Sequence, residues 1–367
     1  MKNHIPNLLL PLFLLLLLSS CFLIPSGNKS SIEFYFFEND SFTDYITVAD
    51  IDSLPLKAEP FLTQDDIVFY EWENQNIYLK DKKSDVLDSY YKGDTLLYPL
   101  KAQAFAIVVD KSPVYIGYIN NFYKSLNLHN PLISEIELLL YPDDMLGFFD
   151  MSITDIPYFE DESIKSSLMD ANIYHGGLEI GFDYEYGIVI SDSNEVSSVE
   201  YQYKLHNLDE DDILYVDPEK VGSDNFCRLN NTPFFLGIDS TETNSRGLIT
   251  YENSLDSADF AGDAIYSVIS SGDSASLHVK LTGFNNFEMG GQYQFILFFA
   301  SPLAYSTPEF RTRENGRIWT GWHWLPVLNF YYTGPGRNNV TSSENPDISK
   351  ENKMQIMNSH YKQNLSF

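Results

Sequence analysis

At 367 residues, 44% of them hydrophobic and 15% aromatic, the chain can bury sizeable cores and is too apolar for a disordered polymer. Its 23 Lys and Arg face 52 Asp and Glu, and the resulting charge of −29 repels phosphate backbones and anionic lipid headgroups, so nucleic-acid binding is disfavoured. The acidic excess concentrates between Gly181 and Ala300, where the basic residues are Lys204, Lys220, Arg228, Arg246 and Lys280; a cationic partner, a divalent metal or plain solubility each fits it.

The N-terminus has the marks of an export signal. Lys2 precedes an apolar run from Leu8 to Leu18 that is short for a bilayer span, and small residues follow at Ser19 and Ser20. Pro6 and Pro11 oppose a continuous spanning helix, since each removes a backbone donor that hydrocarbon cannot replace. The sequence Leu18-Ser19-Ser20-Cys21 resembles the lipobox of bacterial lipoproteins. That resemblance implies removal of residues 1–20, a thioether from Cys21 to diacylglycerol and an amino terminus acylated by chains such as palmitate. It also implies a lipid-anchored place in the cell envelope, with Phe22 rather than an inner-membrane-retaining Asp tilting the expectation towards the outer membrane. Residues 21–31, with Pro25 and Gly27, suit a lipid-proximal linker.

Residues 32–129 read as a small α+β module. Strands are expected at Tyr45–Val48 and Asn76–Lys80, a short helix capped by Thr63, and a helical stretch from Ser84 to Tyr91 ending near Gly93. The unbroken apolar run Phe105–Val109 predicts a buried strand, turned by Asp110 to Pro113 into a hairpin with Val114–Tyr118. At Asp65-Asp66-Ile67 and from Ala106 to Tyr115 the chain is similar to the periplasmic head module of SecD-type proteins, and to uncharacterised bacterial lipoproteins with a Tyr-x-Gly hairpin. The order of strand, helix, strand, helix and hairpin suits a small α+β sandwich with helices on one face of a sheet, and the likeness carries no chemical group with it.

Residues 130–175 read as a connector with a strand at Glu135–Leu138, a turn at Tyr141–Asp144 and a helix from Asp161 to Tyr174 capped by Asp161 or Ser163. From His175-Gly176-Gly177 the period becomes two: Leu178, Ile180, Phe182, Tyr184 and Tyr186 would share one face. The alternation recurs at Val199–Leu205 and Leu277–Leu281, with apolar runs at Pro233–Ile238, Gly247–Tyr251, Ala264–Ile269 and Tyr293–Phe299. Residues 176–333 are therefore expected to form a mainly antiparallel β-sandwich, followed by a flexible tail over 334–367 with a helical turn near Lys353–Asn358.

Few constellations carry chemistry. Glu179, Asp183 and Glu185 offer carboxylates at a spacing open to a glycosidase, but alternation with an apolar face puts them in water. The run Asp209-Glu210-Asp211-Asp212, with Asp217 and Glu219 beyond, offers oxygens to calcium, with Asp209, Asp211 and Asp212 as the candidate ligands; it lacks the EF-hand register. No other cofactor is suggested. The histidines of the mature chain, His129, His175, His206, His278, His323 and His360, lack helical zinc-site spacing, and His175 stands out for the glycines beside it. Acylation of Cys21 would leave Cys227 alone, a structural thiol rather than a nucleophile. Trp319, Trp322 and Trp324, with Tyr331 and Tyr332, form either a sugar- or peptide-stacking surface or a core plug.

The expectation is an envelope lipoprotein whose body is a non-enzymatic binding or assembly module for a protein or glycan partner. The alternative is a secreted hydrolase acting on glycans or peptides.

Overall fold

The computed structural model describes residues 30–38, 54–120, 132–134, 138–139, 141–148, 161–193, 196–229, 234–237, 262–285, 287, 289–301, 307–325, 328–338 and 340–341. The fold is β-rich, with several sheets and few, short helices. The leader, Cys21, the expected strands at Tyr45–Val48 and Gly247–Tyr251 and the helical turn near Lys353 lie outside the described residues.

The N-terminal core is built on a five-stranded sheet ordered Leu62–Thr63, Ile32–Phe36, Gln103–Val109, Ser112–Asn120 and Leu132–Ser134. Gln103–Val109 is apolar without a break because both of its faces are covered: Phe105, Ile107 and Val109 join a cluster with Phe34, and Ala104, Ala106 and Val108 join another with Phe37 and Ile116. Its hairpin turns on two residues, Asp110 and Lys111, both at positive φ, so the return strand starts at Ser112, earlier than expected. Pro113 is tolerated there because the ladder slips by one residue opposite Val108. The glycine of the Tyr-x-Gly pattern supports the ring of Phe105: a Cβ on Gly117 would lie 2.1 Å from the ring's Cζ. Ser30 and Ser31 donate to the Asp110 carboxylate at 3.0 and 2.9 Å, so the end of the expected linker is fastened to this turn.

A second sheet, ordered Met145–Gly147, Asn76–Leu79, Ile67–Glu71 and Tyr174–His175, lies on the same core, the last pair being parallel. Thr63 begins a short 3-10 turn in which its backbone N–H and hydroxyl both donate to Asp66. The helix expected over Ser84–Tyr91 is broken: Lys83–Val86 is helical, Asp88–Tyr90 is a 3-10 turn and Tyr91–Lys92 is already a strand of a small hairpin with Thr95–Leu96. The helix Glu162–Asp170 has Asp161 as its cap, accepting from the Ser163 N–H at 2.8 Å. It stops well before Tyr174, because Asn172 turns left-handed and the N–H of Ile173 reaches back to Leu168. The connector's strand is Leu132–Ser134, ahead of the Glu135–Leu138 expected; residues 135–137 are outside the described set.

The C-terminal core rests on the 12-residue strand Val196–Asn207. Leu178–Phe182 and Ile188–Ser193 pair with its two halves on one side, and Ser274–Asn285 runs along the other. Val199, Tyr201, Tyr203 and Leu205 point inward with Leu277, Val279 and Leu281, as period two requires. The first strand ends at Phe182 rather than continuing to Tyr186, because Asp183 caps a turn by accepting from the N–H groups of Glu185 and Tyr186 at 2.9 and 3.0 Å. Tyr184 is consequently exposed.

Further sheets complete this half. One is ordered Tyr266–Ile269, Ile213–Val216, Gly316–Ile318 and Thr312–Arg313, with a parallel central pair. Another joins Phe234–Gly237, Gln292–Ile296, Leu328–Tyr331 and Val340–Thr341. The run Tyr293–Phe299 divides at Leu297, after which Phe298–Ala300 pairs with Trp322–Trp324. The expected loose tail begins later than residue 334, since Gly336–Asn338 pairs with Ile188–Ile190 and Val340–Thr341 with Asn329–Phe330. Replacing Gly117 with Val drives a branched side chain into the Phe105 ring and should cost about 1–3 kcal/mol. A lower urea midpoint at unchanged slope is expected; an unchanged midpoint contradicts the packing described.

Candidate functional site

The densest buried chemistry lies where the two cores meet. Glu71 ends the strand Ile67–Glu71 and faces Asn76 across the hairpin. Asp209 opens the acidic loop after Asn207, and Arg317 lies on Gly316–Ile318. Both carboxylates are buried, and Arg317 joins them through one nitrogen: Nη2 donates to Glu71 Oε1 at 2.7 Å and to Asp209 Oδ2 at 2.6 Å. Asp209 Oδ1 lies 2.9 Å from His175 Nδ1, and Glu71 Oε2 accepts from Asn76 Nδ2 at 3.2 Å. Arg317 Nε and Nη1 and Asn76 Oδ1 are buried and have no hydrogen-bond partner among the described residues.

Around this centre several contacts run from one core to the other. Asn76 Nδ2 and Tyr78 Oη donate to the Thr320 carbonyl at 3.2 and 3.1 Å, and Trp319 Nε1 donates to Asn74 Oδ1 at 3.0 Å. Asn74 also exchanges two hydrogen bonds with the backbone of Leu178. A second arginine, Arg311, forms a two-bond ion pair with Asp144. The rings of Phe69 and Tyr78 stack at 3.9 Å, with Arg317 over Phe69 at 5.1 Å and Arg311 over Tyr78 at 4.9 Å. Two guanidinium groups thus clamp two aromatic rings, each anchored by a carboxylate, and Arg suits this geometry because its planar fork both stacks and pairs.

Electrostatics follow from burial. Burial alone would raise the Asp209 pKa, but the His175 hydrogen bond and the Arg317 charge outweigh it and hold the carboxyl well below the usual range. For Glu71 burial dominates and pushes the pKa up despite Arg317 and Asn76, with Asp209 adding to the rise. Arg317 stays charged, because its carboxylate partners outweigh its desolvation.

The glycines beside His175 make room for the protein itself. A Cβ on Gly176 would lie 1.9 Å from the Leu208 carbonyl oxygen; on Gly177, which is at φ +86°, it would lie 2.6 Å from Glu71 Cγ. The chain crosses between cores at this point with no space for a side chain.

The acidic run is divided among unlike environments. Asp209 is inside, Glu210 and Asp211 are exposed, and Asp212 accepts from the Ser271 N–H at 3.3 Å. Asp217 caps the short helix Pro218–Val221. Ligand atoms of His175, Asp209 and Asp211 fall within 4.8 Å of one another, a different trio from the Asp209, Asp211 and Asp212 set. Both Asp209 oxygens already accept from His175, Arg317 and the Asp211 N–H, and a guanidinium 2.6 Å away repels a cation. The geometry is that of an ion-pair joint, and it does not fit a cation cage.

The other candidates are scattered. Glu179 pairs with His206 at 3.3 Å on the outward face, while Asp183 and the exposed Glu185 share Lys204 at 3.2 and 3.9 Å. Burial would raise Asp183, but the Tyr186 N–H and Lys204 hold it low, the opposite of what a glycosidase acid needs. Trp319 is buried against Phe299 and bonded to Asn74, so it belongs to the core plug rather than to a stacking surface. Trp322 and Trp324 lie on the next strand, with side chains outside the described residues; between them His323 is pushed down to about 4 by burial. Tyr331 is exposed and Tyr332 buried. Cys227 lies in the helix Ser223–Leu229.

Sequence reasoning found His175 and Asp209 and missed Glu71, Asn76, Arg311 and Arg317. An available signal was the cluster Arg311, Arg313 and Arg317 in a chain so poor in basic residues.

Arg317→Met keeps the bulk and strands two buried carboxylates, so a loss of about 3–5 kcal/mol in chemical unfolding is expected. Glu179→Gln on the solvated face should stay within about 0.5 kcal/mol; equal effects of the two variants would contradict the burial described. Calcium should leave the thermal midpoint of the chelator-treated protein unchanged, and a rise with calcium concentration would restore the cation reading. Comparison of the chain with protein-family models, with curated proteins and with solved structures gave no match.

Proposed function

We propose that this chain is an envelope lipoprotein, exported, cut before Cys21 and held by acyl chains on that residue, with the outer membrane favoured by Phe22. The observation that carries the reading is the ordered series of Lys2, the Leu8–Leu18 apolar run and Leu18-Ser19-Ser20-Cys21. More than one acyl chain holds a soluble body durably, whereas a single chain holds it only marginally. No helix among the described residues is long and apolar enough to cross a membrane.

The body is a non-enzymatic binding or assembly module for a protein or glycan partner, built as a small α+β sandwich followed by a larger β-sandwich. Two things support this. The central strand Gln103–Val109 is covered on both faces, and the inward side chains of the C-terminal sheet pack on residues of other sheets, such as Tyr203 on Phe299. The carboxylates nearest to an acid–base arrangement are engaged in structural contacts: Asp209 and Glu71 in the joint, Asp183 in a turn cap.

Cys21→Ala should move the protein from the membrane fraction to the soluble fraction and abolish metabolic labelling by palmitate. Retention of both in the variant would overturn lipid anchoring at this cysteine.

A further inference from the structure

With His175 in its neutral form, the charged groups of the joint do not sum to zero. Arg317 contributes one positive charge, while Glu71 and Asp209 each contribute a negative one if ionised; both accept from the same Nη2. His175 reaches Asp209 through Nδ1, a contact that the neutral Nδ1–H tautomer satisfies as a donor. Beside the joint, Arg311 pairs with Asp144. Tyr78, which also borders Glu71, is held neutral by burial. An unbalanced negative charge in a dry interior is expensive, and a buried carboxyl avoids it by keeping a proton.

We propose that the joint carries one bound proton at neutral pH, held on Glu71, and that loss of this proton with rising pH loosens the contact between the two cores. Geometry selects Glu71 over Asp209. Asp209 accepts from Arg317, from His175 and from the Asp211 N–H at 3.2 Å, whereas Glu71 accepts from Arg317 and from the neutral Asn76 amide. Glu71 is also fully buried, with Gly177 packed against its Cγ. The upward push of burial on its pKa agrees with this choice.

Glu71 has a raised folded pKa, so its contribution is complete below the unfolded value of about 4.3 and declines as pH rises through the folded value. Asp209 has the opposite sign and loses its contribution only as pH falls below about 4. His323, depressed to about 4, also favours higher pH, but its effect ends above its unfolded value of about 6.5. The Glu71 effect is therefore read above that point, as the difference between wild type and variant.

The test uses the full chain in mild detergent, unfolded by urea between about pH 5 and pH 9. Above about pH 6.5 the wild-type unfolding constant should rise with pH, by up to about tenfold per unit, and Glu71→Gln should flatten that rise. Infrared spectra should show a protonated-carboxyl band near neutral pH in the wild type and in His175→Gln, and not in Glu71→Gln. A wild type with no such band, or a slope that persists in Glu71→Gln, overturns the proposal. Should Glu71→Gln not fold, the band in the wild type and in His175→Gln decides alone: its disappearance on titration to high pH supports the proposal, and its absence at neutral pH refutes it.

Discussion

A single guanidinium organises this protein. Arg317 lies on a strand of the C-terminal core, yet one of its nitrogens holds both Asp209 of that core and Glu71 of the other. Neither carboxyl group reaches water, so these contacts to Arg317 are not the weakly coupled kind found on surfaces. Everything near them is arranged to keep the guanidinium in place. Phe69 lies under it, His175 and Asn76 take the remaining carboxylate oxygens, and the backbone at Thr320 is fixed from below by Asn76 and Tyr78.

That constraint explains features that look unrelated along the chain. Gly176 and Gly177 are small because Leu208 and Glu71 occupy the space where side chains would go. Trp319 is buried because its indole N–H completes the accounting of Asn74, which in turn ties down Leu178 where the second core begins. Arg311 repeats the motif beside it, with Asp144 as its carboxylate and Tyr78 as its aromatic floor. The acidic loop keeps Asp209 inward through local bonds: Asn207 accepts from the Asp209 N–H at 2.9 Å and donates to the Asp211 carbonyl at 2.8 Å.

Period and run length in the sequence carry the strands, because burial on one or both faces leaves those marks. Phe105–Val109, Val199–Leu205 and Leu277–Leu281 are examples, and Asp161 is legible as a cap for a similar local reason. Boundaries set by side-chain hydrogen bonds are not legible in that way: Asp183 ends a strand and Asn172 ends a helix, although the apolar pattern runs on past both. The joint was half visible. Asp209 and His175 attract notice as chemical residue types, but Glu71, Asn76 and Arg317 are 5, 108 and more residues from one another or from Asp209, and only the fold brings them together. The first member of the acidic run faces inward, which the run of like residues does not mark.

The central consequence of the joint is that the two cores are joined into one cooperative unit. Native-state hydrogen exchange measures this directly, by comparing amides of Gln103–Val109 with those of Val199–Leu205. In the wild type both sets should open with the same free energy and the same denaturant dependence, and in Arg317→Met they should separate. Independent opening of the two sets in the wild type would contradict it.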